Sequence, residues 1–422
     1  MTAERVNYKP TLRACYLGYI TQAVVNCLLP LLFIIFQTDY GVSFERLGRL
    51  IFLNFFTQLV VDLISVKLVE RVSCRALMVS AHALGAAGLW LLAFLPGVLP
   101  DPYIGLSLAV VLQGIGGGLL EVLVSPVVES VPGDDKAGAM SLLHSFYCWG
   151  QMGVVLLTTL FLQLFGRAVW WILPLVWSGI PLVNLFCFLK VPLRPITAGE
   201  NGSPLRALFR QGFFWIVLIL MLCAGAGEGV MSLWSSLFAE KGLGVSKVLG
   251  DLLGPCMFAL FMGLGRLGFG LKGSKIRLEN ALMASAGLCI VCYLAAVISP
   301  WPVLSLAACG LCGLSVSLMW PGAFSLAARD FPAGGAQMFA VMALSGDMGC
   351  AMGPWFSGLI SDFVTGVNAG NPAADQIGLK WGILFGVLFP TVLLTALLVH
   401  RRLKKRAGGQ PVQETPRDFA GK

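Results

Sequence analysis

Twelve apolar stretches, each long enough to cross a bilayer, fall into two sets of six. A hydrocarbon core of about 30 Å takes about 20 residues of helix to span. Within it every backbone N–H and C=O must find a partner inside the protein, which leaves only helices and closed barrels. The runs here are long and do not alternate polar with apolar residues, so they are read as helices. The spans are expected near residues 14–37, 47–66, 76–96, 104–129, 141–165, 170–189, 213–238, 248–271, 280–299, 303–327, 337–363 and 381–400. Of 422 residues 57% are hydrophobic and 12% charged, with a mean hydropathy of +0.83, more apolar surface than a soluble fold can hide. The fold class is therefore an all-α membrane protein of twelve transmembrane helices, with the lipid bilayer as its first partner.

A net charge of +8 raises the question of nucleic acid, and the placement of the charges answers it. With the N-terminus inside, 23 Lys and Arg residues fall in inner segments and 6 in outer ones. The positive-inside rule then puts both termini in the cytoplasm of a multi-pass protein of the plasma membrane, of the bacterial cytoplasmic-membrane kind. The basic tail, residues 401–422, reads as a headgroup anchor and not as a nucleic-acid arm. Trp170, Trp171, Trp301 and Trp381 sit at expected outer ends, where an aromatic belt belongs. The first apolar run is too long for a typical signal peptide.

The 50 glycines let helix backbones approach closely, notably in Gly114-xxx-Gly118, Gly225-xxx-Gly229 and Gly349-xxx-Gly353. Cys289-xx-Cys292 and Cys309-xx-Cys312 have zinc-like spacing, yet both pairs lie inside apolar helices without His or acidic neighbours. Small-residue packing is the expectation, with no metal and no cofactor. No GxxxxGK[ST] phosphate loop, HExxH or GxSxG occurs, so neither ATP-driven transport by this chain alone nor an enzyme is expected.

Residues 190–211 form the longest polar connection between spans and split the chain into six and six. The expected organisation is a bundle over 1–189, a cytoplasmic linker over 190–211, a second bundle over 212–400 and the tail over 401–422. The halves echo each other: Ala76-Leu77-Met78 against Ala281-Leu282-Met283, Pro126 with Val131-Pro132 against Pro321 with Phe331-Pro332, and Gln151-Met152-Gly153 against Asp347-Met348-Gly349. Duplicated halves are a hallmark of secondary transporters.

Two spans carry a buried glutamate: Glu121, in Gly-Ile-Gly-Gly-Gly-Leu-Leu-Glu, and Glu228, in Gly-Ala-Gly-Glu-Gly. A carboxylate at that depth costs at least a few kcal/mol and marks a functional site. Both are expected to carry the coupling proton, with sodium as the alternative ion. Asp62 forms a polar stripe with Asn54 and Gln58 on the second span, where gating is the expected role. Asp347 in the eleventh span is read the same way, and Arg266 as a latch partner for an acid. Glu129 and Asp362 are read as solvated helix ends near the inner face, and His82 and His144 as hydrogen-bonded packing residues.

The fourth span reads Gly116, Gly118, Leu120, Glu121, Ser125 and Pro126; the tenth reads Pro321, Phe324, Ser325 and Leu326; the seventh has Ala226, Glu228 and Trp234. In these motifs the chain resembles the fucose-permease branch of the major facilitator superfamily, a family of proton symporters. The first span departs from that pattern: the branch's functional Asp is replaced by Asn26, in Val25-Asn26-Cys27-Leu28-Leu29-Pro30. The superfamily's loop Asp-Arg-x-Gly-Arg-Arg is degenerate here, as Glu70-Arg71-Val72-Ser73-Cys74-Arg75. The resemblance implies that Glu70, Arg71 and Arg75 are conformational latches and that the first, fourth, seventh and tenth helices line a central cavity. Candidate substrate contacts on those helices are Gln22, Asn26, Gln113, Trp234, Trp320 and Ser325, joined by Trp149 and Gln151 on the fifth. The expected function is alternating-access symport of a proton with a small polar solute, such as a sugar or related metabolite, by a monomer. An uncoupled facilitator or a proton-antiporting exporter on the same fold is the alternative, and a transporter-like receptor or membrane enzyme the reading from another class.

Overall fold

The computed structural model describes residues 7–132, 136–194, 205–272, 277–331 and 334–406. Twelve helical rods run back and forth: α1 (Lys9–Leu31, continued by Phe33–Tyr40), α2 (Phe44–Arg71), α3 (Cys74–Val98), α4 (Pro102–Ser130), α5 (Lys136–Phe165) and α6 (Ile172–Lys190) make the first half. The second half is α7 (Gly212–Leu237, continued by Phe238–Gly242), α8 (Lys247–Asp251, Leu252–Cys256 and Met257–Lys272), α9 (Leu278–Ile298), α10 (Pro302–Val316 and Met319–Asp330), α11 (Gly335–Val367) and α12 (Ala374–Phe385 and Leu388–Arg406). Each expected span maps to one rod. Among the described residues eleven are long and apolar enough to cross a membrane. The twelfth, α11, has 33 residues, about 50 Å of helix. Of the expected linker, residues 195–204 lie outside the described residues, as do 407–422 of the tail and the side chain of Glu70.

Local chemistry sets the helix starts. Ser43 and Ser73 cap α2 and α3 by accepting from the N–H of Arg46 and Ala76. Asp101 caps α4, which opens on Pro102. Gly41, at a φ of 62°, supplies the left-handed residue that ends the first rod.

Small residues then set the helix spacing. The Gly225-xxx-Gly229 and Gly349-xxx-Gly353 motifs face each other across α7 and α11. A Cβ added at Gly225 would collide with the carbonyl of Gly346, and one at Gly349 with that of Leu222. Gly114 and Gly118 likewise bring α4 onto α2 beside Asn54 and Gln58. The expected close approaches are therefore all made. Cys289 and Cys312 touch at 3.8 Å between α9 and α10, and the four cysteines of the two pairs are free, buried packing residues.

The two faces differ. On the face that carries both termini, Thr11 donates to Pro192 O at 2.7 Å. Arg75 donates to the carbonyls of Phe188, Leu189 and Val191, capping α6 from α3. Arg71 is exposed there. Asp330 accepts from His400 at 2.6 Å and Lys404 at 2.7 Å, and Arg329 pairs with Glu279. These ties are all within one half. On the distal face the ties cross between halves. Asp362 accepts from the N–H of Phe44 at 2.9 Å and of Glu45 at 2.8 Å, and Trp355 donates to Glu45 at 2.9 Å. Thr159 donates to the buried Asp251 at 2.6 Å, beside the Lys247–Asp251 ion pair, and Arg167 pairs with Glu240.

This corrects the reading of Asp362 as a solvated inner end. α11 runs away from the terminal face, so Asp362 reaches the distal face and seats the N-terminus of α2. Trp170 also leaves the expected belt: it is buried against Phe36 and Tyr40, while Trp171, Trp301 and Trp381 are exposed as expected.

Gly349→Ala is expected to destabilise the protein by about 1–3 kcal/mol, the cost of overpacking. Thermal unfolding of purified protein checks this, and Gly287→Ala, which meets open space, serves as the control.

Candidate functional site: a carboxylate-lined space between the halves

Four acids lie at membrane depth on four rods: Asp62 on α2, Glu121 on α4, Glu228 on α7 and Asp347 on α11. They converge. Asp62, Glu121 and Asp347 interact electrostatically, and the Cys350 thiol feels Glu121, Glu228 and Asp347 together. The glycine seams explain the placing. α7 pressed on α11 sets Glu228 beside the turn that carries Asp347, and α4 pressed on α2 sets Glu121 beside Asp62.

Glu121 and Glu228 face the opposite half. Glu121 interacts with Asp347, and Glu228 with Cys27, Tyr147 and Cys148. Each keeps accessible surface; the Glu228 side chain is 20% exposed. Accessible carboxylates at an interface between bundles require an opening between them. His144 on α5 and Ser325 on α10, both nearer the terminal face, are exposed as well. Side-chain exposure between the halves thus lies toward the terminal side, while the polar ties that cross between the halves lie on the distal side.

One of these acids, Glu228, has a cation close by. Arg266 on α8 lies 3.6 Å from Glu228 and donates across the halves to the Cys148 thiol at 3.7 Å. A ladder of amides leads away from Glu121. Gln22 donates to Glu121 at 3.1 Å and to Gln58 at 2.9 Å. Asn26 then accepts from both Gln58 and Asn54, each at 2.9 Å. Beside its end, Asn26, Asn54 and Gln113 line a cavity with room for about one water. Tyr19 completes the group, bonding Ser125 at 3.0 Å and meeting His144 edge-on.

The Major Facilitator Superfamily model matches residues 15–354, most of the chain. The chain belongs to this superfamily. Comparison with curated protein sequences gives no match. The nucleoside transporter NupG has the same fold, with a TM-score of 0.74 at 13% identity over 93% of this chain and 99% of that one. A bacterial homologue of the human lysosomal transporter Spinster, inward-facing and unoccupied, gives 0.74 at 15% identity over 97% and 100%. The Escherichia coli fucose:proton symporter FucP gives 0.62 at 17% identity over 93% and 98%. At such identities the likeness is one of fold.

In this major facilitator protein the expected site residues divide into two sets. Gln22, Asn26, Glu121, Glu228, Arg266, Asp62 and Asp347 come together. Trp320 lies close by, its indole against Gly346. Gln113 is buried and donates to Gly88 O, Gln151 lines a second small cavity with Ser232 and Ser236, and Ser325 donates to Pro321 O. Trp149 is 43% exposed. Trp234 is the clear departure: it is fully buried, packs on Phe33 and Phe44, and donates to Pro354 O, so it offers a solute no surface. It belongs to the distal seal. His144 departs too, being exposed, whereas His82 is held by Met78 O and Asn184 as expected. Tyr19 and Tyr147 were not anticipated. Their spacing holds the signal, since Tyr19, Gln22 and Asn26 share one face of α1, and His144, Tyr147 and Gln151 one face of α5.

Asn26→Leu strands two buried amide donors, at about 1–3 kcal/mol each. Asn26→Asp keeps the oxygen that accepts from both and is expected to lose less stability than Asn26→Leu. Melting temperatures of the two variants check the ladder.

Proposed function

We propose that this chain is a proton-coupled symporter of a small polar solute, working by alternating access in the plasma membrane with both termini cytoplasmic. The observation that carries the reading is the pair of glutamates on α4 and α7. Each retains accessible surface and each faces groups of the other half. Four carboxylates and one guanidinium in one space leave three negative charges unbalanced if all are ionised. Proton uptake relieves that repulsion and lets the halves close on each other. Glu121 and Glu228 are the proton carriers; Asp62, Asp347 and Arg266 set which mouth is open. Residues 1–189 and 212–400 rock as units about the linker.

The state described fits a carrier open to the cytoplasm. The fucose-permease branch is supported by the Gly116-to-Pro126 motif around Glu121, and Asn26 in place of the branch's acid argues for a different solute. The candidate contacts left in reach of a solute are Gln22, Asn26, Trp320 and Ser325.

One proton moving through 100 mV supplies about 2.3 kcal/mol. At about 1.4 kcal/mol per decade this sustains roughly 50-fold accumulation of a neutral solute. In proteoliposomes an imposed proton gradient is expected to drive uptake, and Glu121→Gln to abolish accumulation while leaving exchange of solute across the membrane. Flux that ignores the gradient and is unchanged in Glu121→Gln would identify a facilitator instead.

A further inference from the structure

We propose that Asp251 is the acid that takes up the proton at the distal face, and that the hydroxyls of Ser236 and Ser232 pass it along α7 to Glu228. The inference rests on the transporter reading above, in which Glu228 carries a proton, and adds the route by which the proton arrives.

Helix spacing lays the route. Glu228, Ser232 and Ser236 follow one another at four-residue steps, so they share one face of α7 and span about 12 Å toward the distal face. Asp251 stands one turn inside the distal end of α8, which opens at Lys247. Two glycines bring it to the end of the α7 stripe. A Cβ at Gly250 would fall 2.6 Å from the Cβ of Ala239, and one at Gly254 3.3 Å from that of Ser235, so α8 is pressed onto α7 at this level. Ser236 thereby donates to Asp251 Oδ1. Directly after Asp251, α8 widens into a π turn over Leu252–Cys256, a feature frequent at functional sites. Beside the stripe lies a cavity with room for about one water, lined by Ser232, Ser236 and Gln151 among apolar side chains such as Leu31, Val155 and Leu233. The three polar side chains carry oxygens that can hold that water.

The transfer is balanced. A proton on Asp251 passes to Ser236 while Ser236 gives its own to the cavity water; the water passes one to Ser232, and Ser232 one to Glu228. Each hydroxyl accepts one proton and releases one, so Asp251 and Glu228 are the groups whose charge changes.

The same carboxylate decides when the route is open. Lys247 Nζ lies 3.0 Å from Oδ2 and 3.2 Å from Oδ1, and Thr159 donates to Oδ2 at 2.6 Å. With Ser236 on Oδ1, both oxygens are engaged. Among the described residues Lys247 is the charged group facing Asp251 and Cys256 the titratable one, both on α8, while α5 and α7 bring hydroxyls. Ser236 and Lys247 belong to the same half as Asp251, and Thr159 to the other. Opening the distal mouth therefore takes Thr159 away and frees a lone pair on Oδ2, whereas the ion pair stays. The proton is admitted when that mouth opens and refused while it is shut, which prevents a leak through the carrier.

The test takes the full-length protein in membrane vesicles adsorbed on a solid-supported electrode, with the proton as the only probe. Vesicles of the two orientations are told apart by tryptic access to the exposed Arg401 and Arg402. An acid jump on one face gives a transient charge movement, corrected with vesicles that lack the protein. The quantity read is the ratio of the distal-side to the terminal-side rate. None of the distal ties described above uses Ser232, so Ser232→Ala leaves the seal in place. Its ratio should fall at least about tenfold, a modest part of what one positioned proton-transfer group contributes. Ser232→Thr, which restores a hydroxyl, should recover it. The double variant Lys247→Met/Asp251→Asn, which strands no charge, should lower the ratio as far. An unchanged ratio in Ser232→Ala or in the double variant overturns the route. Glu228→Gln separates the route from the coupling reading and should shrink the movement from both faces. A movement unchanged in Glu228→Gln removes the carrier and both readings with it, whereas a smaller movement there with an unchanged ratio in Ser232→Ala overturns the route alone.

Discussion

Charge in hydrocarbon is the constraint on which this structure is built. A single carboxylate at mid-membrane costs a few kcal/mol at least, and four together cost more than the sum because they repel. The fold gathers the acids in the seam between the halves, where Glu121 and Glu228 keep accessible surface and Glu228 stands beside the Arg266 guanidinium, while Asp347 is buried. Backbone contact within each half fixes where they stand. Gly225, Gly229, Gly349 and Gly353 lock α7 to α11, carrying Glu228 and Asp347, and Gly114 and Gly118 lock α4 to α2, carrying Glu121 and Asp62. Each half thus holds two acids rigidly, and only the separation between the two pairs is free to change.

That division explains which features were legible in the sequence. Spans, glycine motifs and membrane-depth acids are properties of one helix and can be counted along the chain. The polar stripe Asn54, Gln58 and Asp62 was visible too, but its partner was not. Asn26 sits opposite it only because of the register between α1 and α2, which no local pattern encodes. The same limit explains Trp234. A helix number says that a rod borders the cavity, not which way a given ring turns on it, and this ring turns into the distal seal. Asp362 was misplaced for a simpler reason: its helix runs from the terminal face outward, and following the strict alternation of twelve rods puts it at the far mouth. Asp251 stands one turn after Lys247, a spacing equally common on solvated surfaces, so its complete burial cannot be read from the chain.

The two faces divide the work of holding and moving. Ties on the terminal face, such as Arg75 on the end of α6 and Asp330 on α12, stay within a half and keep each bundle stiff while it moves. Those on the distal face cross between halves and must break for the far mouth to open. Among the described residues the polar ones each involve a carboxylate: Asp362 on the α2 N-terminus, Asp251 with Thr159, Glu45 with Trp355, and Arg167 with Glu240. Bonds of this kind contribute about 0.5–1.5 kcal/mol each in net terms, more where one partner is charged and buried.

The magnitudes decide whether such a seal can be driven. These bonds add to an apolar contact between the halves, in which Trp234 packs on Phe33 and Phe44 and Trp355 on Phe52, and both must be made good when the other mouth closes and forms its own contacts. What remains is the difference between two packed states, and on the coupling proposed above a proton on one of the seam carboxylates would change that difference, since it would remove one of the like charges that closure must bring together. A proton carried through a membrane potential of 100 mV supplies about 2.3 kcal/mol. A larger seal would hold the carrier in one state; a seam without acids would leave the two states indifferent to the gradient. On the coupling proposed above, it is the charged seam, set against a distal seal held by both packing and polar bonds, that would let an ion bias one state over the other.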